Sequence, residues 1–300
     1  MTQSRFTRRD MIKLAAGAGA ISATFATTGH IARAASHAAT PMQGSLTIHK
    51  LGPVTLHSFT APEASAIVNT HIIETANELH IIDAQFLQNF ASEARAYADS
   101  LGKPIKQLYL SHYHPDHLLG ASQFSDVPFM TSDKVRSDVD ANQGMYASRK
   151  ERFGDTTELY VPEGGLALGD SSWDGVAVSI AEVADAEADH TLTFHFPEAG
   201  LMIVQDLLYA NAHAFPLGNA DNWVAALKDM SQTEGLKVLG AGHGLPAAPG
   251  AIDDAIKYLS FQNEVIGSSA DAETAIAALT EAYPGYGGAA LLNFVNFRFQ

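Results

Sequence analysis

The sequence predicts an α/β (α+β) fold built as a four-layer αβ/βα sandwich. Two observations carry that expectation. Short alternating segments rich in β-branched residues crowd residues 45–86, and a second set runs through about 176–210. Each set is followed by a helical pattern, a strand and another helical pattern. The halves match only in their order of elements, because no short-period repeat of residues is present. Two sheets with helices outside both would bury an apolar face of each sheet against the other.

Taken in order, the first elements are not part of that fold. Arg8 and Arg9 precede Met11, Ile12 and Lys13, then a mildly apolar Ala/Gly run, then Ala-Arg-Ala at 32–34. A basic start, a weak apolar stretch and a small-residue cleavage site read as a removable export signal. Paired arginines there look like a Tat-type signal, an address read by the Tat export machinery rather than a membrane anchor. Residues 1–34 are therefore read as signal peptide, 35–44 as a flexible lead-in and 45–300 as one domain, with the periplasm or the exterior as its place. LTIHKLG, VTLHSFT, SAIVNTHIIE and LHIIDAQ form the first strands, punctuated by Gly52, Pro53, Pro62 and Asn77, and read as an antiparallel meander. Phe90, Ala94, Tyr97 and Leu101 recur at helical spacing before Gly102 ends the run. IKQLYLS is a strand leading into a histidine loop, and polar, glycine-dotted residues 136–165 read as a mobile cap or an insertion. VAVSIAEVA, HTLTFHF and LMIVQDLLY are strands, NWVAALKDMSQ a helix, LKVLGAG a strand and AIDDAIKYLSFQNEVIG a helix.

Composition excludes several functions. The 300 residues carry 33 acids against 18 bases, a net charge of −15. Without residues 1–34 the balance is 32 acids to 13 bases, so the acidity belongs to the exported chain. Nucleic acid and anionic lipid are poor partners for such a surface. With no cysteine, disulfides, thiolate zinc sites and a cysteine nucleophile are all ruled out, so any metal must be held by His, Asp and Glu.

SHYHPDH, residues 111–117, packs three imidazoles and a carboxylate into seven positions. His112 and His114 share one face of an extended backbone. Pro115 forces a turn that aims Asp116 and His117 elsewhere, which suits two adjacent cation positions. His112-x-His114-x-Asp116-His117 resembles the signature of the metallo-β-lactamase-fold hydrolase superfamily. Further motifs follow in that family's order: His190 in ADHTLTF, Asp206 in LMIVQDLLY and His243 in LGAGHGLP. The likeness spans roughly 45–260 in order of elements, with residue identity confined to these motifs.

The resemblance implies that His112, His114 and His190 hold one metal, that Asp116, His117 and His243 hold a second, and that Asp206 bridges. The cofactor it implies is two Zn2+, with iron or manganese also suited to imidazole and carboxylate. The implied reaction is hydrolysis of an ester, lactone or amide carbonyl in a small acyl substrate, by a hydroxide shared between the metals and oriented by Asp116. Tyr209 stands where lactonases of the superfamily carry a tyrosine, and His213 lies near the expected mouth; both are candidate substrate contacts. His195 is a rival to His190 as third ligand, but lies late in its strand between Phe194 and Phe196. Asp83 resembles a family position that props the histidine loop. His37, His49, His57, His71 and His80 show no ligand spacing.

Narrower readings remain open at this level. They are a β-lactamase, an acyl-homoserine-lactone hydrolase, and a periplasmic metal-binding protein without catalysis. Asp206 argues for the broader hydrolase group over the β-lactamases. A glyoxalase II-like thioesterase fits less well, since after His243 only Lys257 and Arg298 are basic. A nuclease fits poorly with the acidic surface.

Overall fold

The antiparallel meander expected over 45–86 is β1 (Ser45–Leu51), β2 (Val54–Thr60), β3 (Asn69–Glu74) and β4 (Leu79–Ile82) in a computed structural model that describes residues 42–300. The export signal and most of the lead-in lie outside the described residues. α1 (Gln88–Ser100) carries the chain back so that β5 (Ile105–Tyr109) lies parallel to β4, the crossover that a parallel pair requires. Its buried face is Phe90, Ala91, Ala94 and Ala98, one stripe of a 3.6-residue period. β6 (Phe129–Met130) completes a six-stranded sheet in the order β1-β2-β3-β4-β5-β6.

The second sheet runs β11-β10-β9-β8-β7, from β7 (Gly169–Trp173), β8 (Val176–Ala184), β9 (His190–Phe196), β10 (Leu201–Ala210) and β11 (Val238–Gly244). β10 is buried along its whole length because both its faces are covered. Leu201 and Ile203 point into the core between the sheets with Ile72, Ile81 and Leu108. Met202 and Val204 pack the other way, against Trp223 and Leu227 of α4 (Ala220–Ser231) and Ile252 and Tyr258 of α5 (Ala251–Ser268). Each such buried aliphatic side chain contributes on the order of 1.5–3 kcal/mol. These two sheets with flanking helices are the four layers the sequence predicts.

Polar side chains tie the sheets together where the functional loops emerge. Asn69 Nδ2 donates to the carbonyls of Ala241 (2.8 Å) and Gly244 (2.6 Å). His71 Nε2 donates to Ala241 O at 2.9 Å, so its Nδ1 accepts the Ser58 hydroxyl at 2.7 Å. His57, His71 and His80 are buried by such contacts, as expected of histidines without ligand spacing. Residues 136–165, read as a cap, contain most of α2 (Asp133–Ala141) and all of α3 (Gln143–Phe153). They are tied down: the Tyr146 hydroxyl donates to Tyr113 O at 2.6 Å, across the histidine loop. Beyond α5 the chain adds α6 (Ala272–Ala282) and a 3₁₀ run over Ala289–Arg298. Among the described residues, no helix is long and apolar enough to cross a membrane.

Candidate metal centre

β5 ends at Tyr109 and the next residues form the histidine loop, which Asp83 holds in place. Asp83 sits just past β4 in the left-handed region (φ 61°), a conformation that asparagine and aspartate tolerate better than most residues. Its carboxylate accepts from Ser111 N (2.7 Å), Ser111 Oγ (2.6 Å), His117 Nδ1 (2.8 Å) and Gln205 Nε2. The expected prop is therefore present. Because Ser111 Oγ gives its proton to Asp83, it accepts from His112 Nδ1 at 2.8 Å. His243 Nδ1 donates to Ala66 O at 2.7 Å. In all three histidines the outer nitrogen is committed as a donor, so Nε2 is the atom aimed inward and the one a cation would take in exchange for a proton.

Three groups of donor atoms lie close together; that of Asp83, His112 and His117 contains the hydrogen-bonded support just described, and two others face inward. One is His112, His114, Glu187 and Asp206; the other is Asp116, His117 and His243. Asp206 stands between them, with Oδ1 at 3.0 Å from His117 Nε2 and Oδ2 at 3.3 Å from His243 Nε2 and 3.6 Å from His112 Nε2. His114 Nδ1 lies 3.2 Å from Glu187 Oε1. Asp116 Oδ2 lies 3.4 Å from His243 Nε2 and 3.9 Å from His117 Nε2. A tetrahedral cation with ligands at about 2.0–2.2 Å holds them about 3.4 Å apart, near these separations. The stronger test is satisfaction. Nε2 of His112, His117 and His243, Glu187 Oε2 and Asp206 Oδ1 are all buried without a hydrogen-bond partner. Five orphaned ligand atoms around one point would cost several kcal/mol unless something positive binds them. The residues present fit metal ions.

The electrostatics agree. Burial pushes the imidazoles of His117 and His243 toward neutrality, yet the carboxylates of Asp206 and Asp116, joined at His117 by Asp83, outweigh it. His117 is raised well above the usual histidine range and His243 to about 10. Burial likewise opposes ionisation of Asp116 and Asp206, and the histidines beside them reverse it, leaving both well below the carboxylate range. The cluster is a field that gathers positive charge.

His190, expected as third ligand, is not brought into this cluster. Its Nδ1 is paired with Asp138 Oδ2 of α2 at 2.8 Å, at a half-buried position where β9 begins. Glu187, three residues earlier, fills the place. The β8–β9 turn folds inward there: Ala186 N donates to Ala188 O, and Asn219 N to Ala186 O, which brings Glu187 to full side-chain burial. His195 lies late in β9, opposite Met202 and outside both groups. Tyr209 is beside the centre, as a support: its hydroxyl donates to Asp206 Oδ2 at 2.8 Å and lies 3.2 Å from Glu187 Oε1, while its ring stacks on His243 at 4.6 Å. His213 is buried away from the cluster, its Nδ1 2.9 Å from the Tyr258 hydroxyl. Two glycines shape the last ligand. At Gly242 any Cβ would collide with the Asp206 carboxylate, and Gly244 turns the chain at φ 84° after His243.

The sequence profile of the metallo-β-lactamase superfamily matches residues 66–243, from the chain before β3 through His243. The chain belongs to the metallo-β-lactamase superfamily. Solved structures share the fold. A metallo-β-lactamase from Pontibacter korlensis superposes with a TM-score of 0.56, at 17% identity, over 72% of this chain and 99% of that one. A double mutant of the sec-alkyl sulfatase PisA1 does so at 0.60 and 15% identity, over 85% of this chain and 50% of that one. No curated protein matches the chain. This metallo-β-lactamase superfamily hydrolase thus carries a buried His/Asp/Glu cluster suited to metal ions.

Proposed function

We propose that the protein hydrolyses an ester, lactone or amide bond in a small, uncharged or weakly charged acyl substrate, using two divalent cations, zinc in the first instance. His112, His114 and Glu187 would hold one cation and Asp116, His117 and His243 the other, with Asp206 facing both. When bound, such cations polarise the scissile carbonyl and acidify water to near neutrality. What supports catalysis over storage is where the cluster opens. Its members are sealed except at Asp116, 24% exposed, and His114, 11% exposed, so water and substrate can reach it at those residues. Asp116 is held ionised on that side, placed to accept a hydrogen bond from an attacking water and orient it. Tyr209 holds the Asp206 and Glu187 carboxylates in register.

The experiment is a screen of metal-loaded protein on esters, lactones, β-lactams and, given the sulfatase of similar fold, secondary alkyl sulfates. Turnover of an acyl substrate, reduced on the order of 10²-fold or more in Asp116→Asn with metal retained, is the expected result. Full activity in Asp116→Asn would overturn the role of that carboxylate, and no turnover by the metal-loaded protein would favour a metal-binding protein without catalysis. We also propose Tat-dependent export to the periplasm, supported by the Arg8-Arg9 pair; replacing both by lysine should leave precursor in the cytoplasm.

A further inference from the structure

We propose that a second small-molecule site lies beside the metal centre, on the helix-covered side of β10, and takes an uncharged apolar or aromatic ligand. The cavity there measures about 460 Å³, within the range of ligand pockets. It lies between β10, the loop after His243, and the helices α4 and α5. Four aromatic rings line it: Tyr209, Trp223, Tyr258 and Tyr286. None of the seven residues in the two metal-ligand groups does.

The polar tips of three of those rings are already engaged elsewhere. The Trp223 indole N–H donates to Leu207 O at 2.9 Å, the Tyr258 hydroxyl shares a hydrogen bond with His213, and the Tyr209 hydroxyl donates to Asp206. What these three rings present to the cavity is carbon, which favours a ligand by apolar burial and stacking, while the Tyr286 hydroxyl and Asn211 add polar groups at its lining. Charge narrows the class. No lysine or arginine lines the space, so an anion meets no counter-charge. The one carboxylate, Asp254, is exposed and already paired with Lys257 at 3.2 Å, so a cation meets no free one either. Leu245 leaves 43% of its surface in water at this cavity, in the loop that follows His243 and Gly244 directly. An occupant would cover that surface.

Tyr209 is a wall common to the cavity and the metal centre. Its ring lines the one and stacks on His243 of the other, so an occupant bears on two metal-ligand candidates, His243 through the ring and Asp206 through the hydroxyl. A bound ligand at this position therefore has a physical route to the chemistry.

The test is a titration of the purified metal-loaded protein with N-phenyl-1-naphthylamine, an uncharged probe that brightens in apolar surroundings. One saturable equivalent per chain is expected. Energy transfer from tryptophan to the bound probe should fall sharply in Trp223→Phe while directly excited probe still binds. Ala251→Leu and Ala255→Leu, each adding volume to the lining, should weaken binding at least tenfold with the circular dichroism spectrum and metal content unchanged. Absence of saturable binding, or undiminished affinity in both filled variants, would overturn the proposal. So would displacement of the probe by millimolar choline, since aromatic cages favour quaternary ammonium where a counter-charge is free.

Discussion

Glu187 and His190 are a matched pair of side chains three residues apart, one in the metal cluster and one outside it. Glu187→Gln is expected to lower bound metal from two toward one per chain, because it removes a charged ligand from the group around His112. His190→Gln is expected to leave both. Elemental analysis of the two variants separates these outcomes, and metal loss confined to His190→Gln would restore the assignment expected from sequence. The histidines of 112–117, Asp206 and His243 were legible because imidazoles at strand ends are conspicuous and their spacing restricts where they can point. Glu187 was not. It stands among Asp185, Asp189 and other small or acidic residues, a pattern that normally means a solvated turn. Only its flanking alanines, both buried, hint that this turn folds inward. Its burial depends on Gly218 and Asn219, more than thirty residues away, which no local pattern reports.

The elements that position the centre are β10 and β11, parallel neighbours whose register shifts around Gln205 and Asp206. That irregularity is accommodated by close approach of Gly242 to the Asp206 carboxylate. Gly242→Ala should therefore cost about 1–3 kcal/mol, as overpacking does. It should also weaken metal binding by displacing Asp206. Chemical denaturation of metal-free protein alongside metal titration would register both effects; an unchanged midpoint and affinity would show that the contact is not tight. Strands with strict alternation or continuous apolar character were readable along the chain. β7 was not, because four of its five residues are exposed and only Trp173 anchors it. The 136–165 segment was legible as polar but not as helical, since its helices bury few residues: Val135 and Val139 in α2 and Tyr146 in α3.

At the scale of the molecule, the fold depends on two sheets held face to face, and His71 is one of the links between them. Burial, its largest influence, pushes its pKa down from 6.5 to about 4. The folded state then binds fewer protons than the unfolded chain between those values. Its contribution is complete above about pH 6.5 and is lost as the pH falls toward 4, by about 3 kcal/mol at the limit. In metal-free protein, the stability advantage of wild type over His71→Gln should shrink as the pH is lowered from 7 to 4.5. Denaturant titrations at each pH measure it, and a constant difference would show that His71 does not titrate on unfolding.

Metal binding acts on the same whole-molecule equilibrium, since a cation held only by the folded state stabilises it. The orphaned atoms of His112, His117, Glu187, Asp206 and His243 predict where that cation charge resides. Metal stoichiometry of the purified wild-type chain, dialysed against saturating zinc and then metal-free buffer, tests the two-cation centre most directly. Two equivalents retained per chain, both removed by a chelator with a fall in the melting temperature, is the predicted result. One equivalent or none at saturation would contradict it.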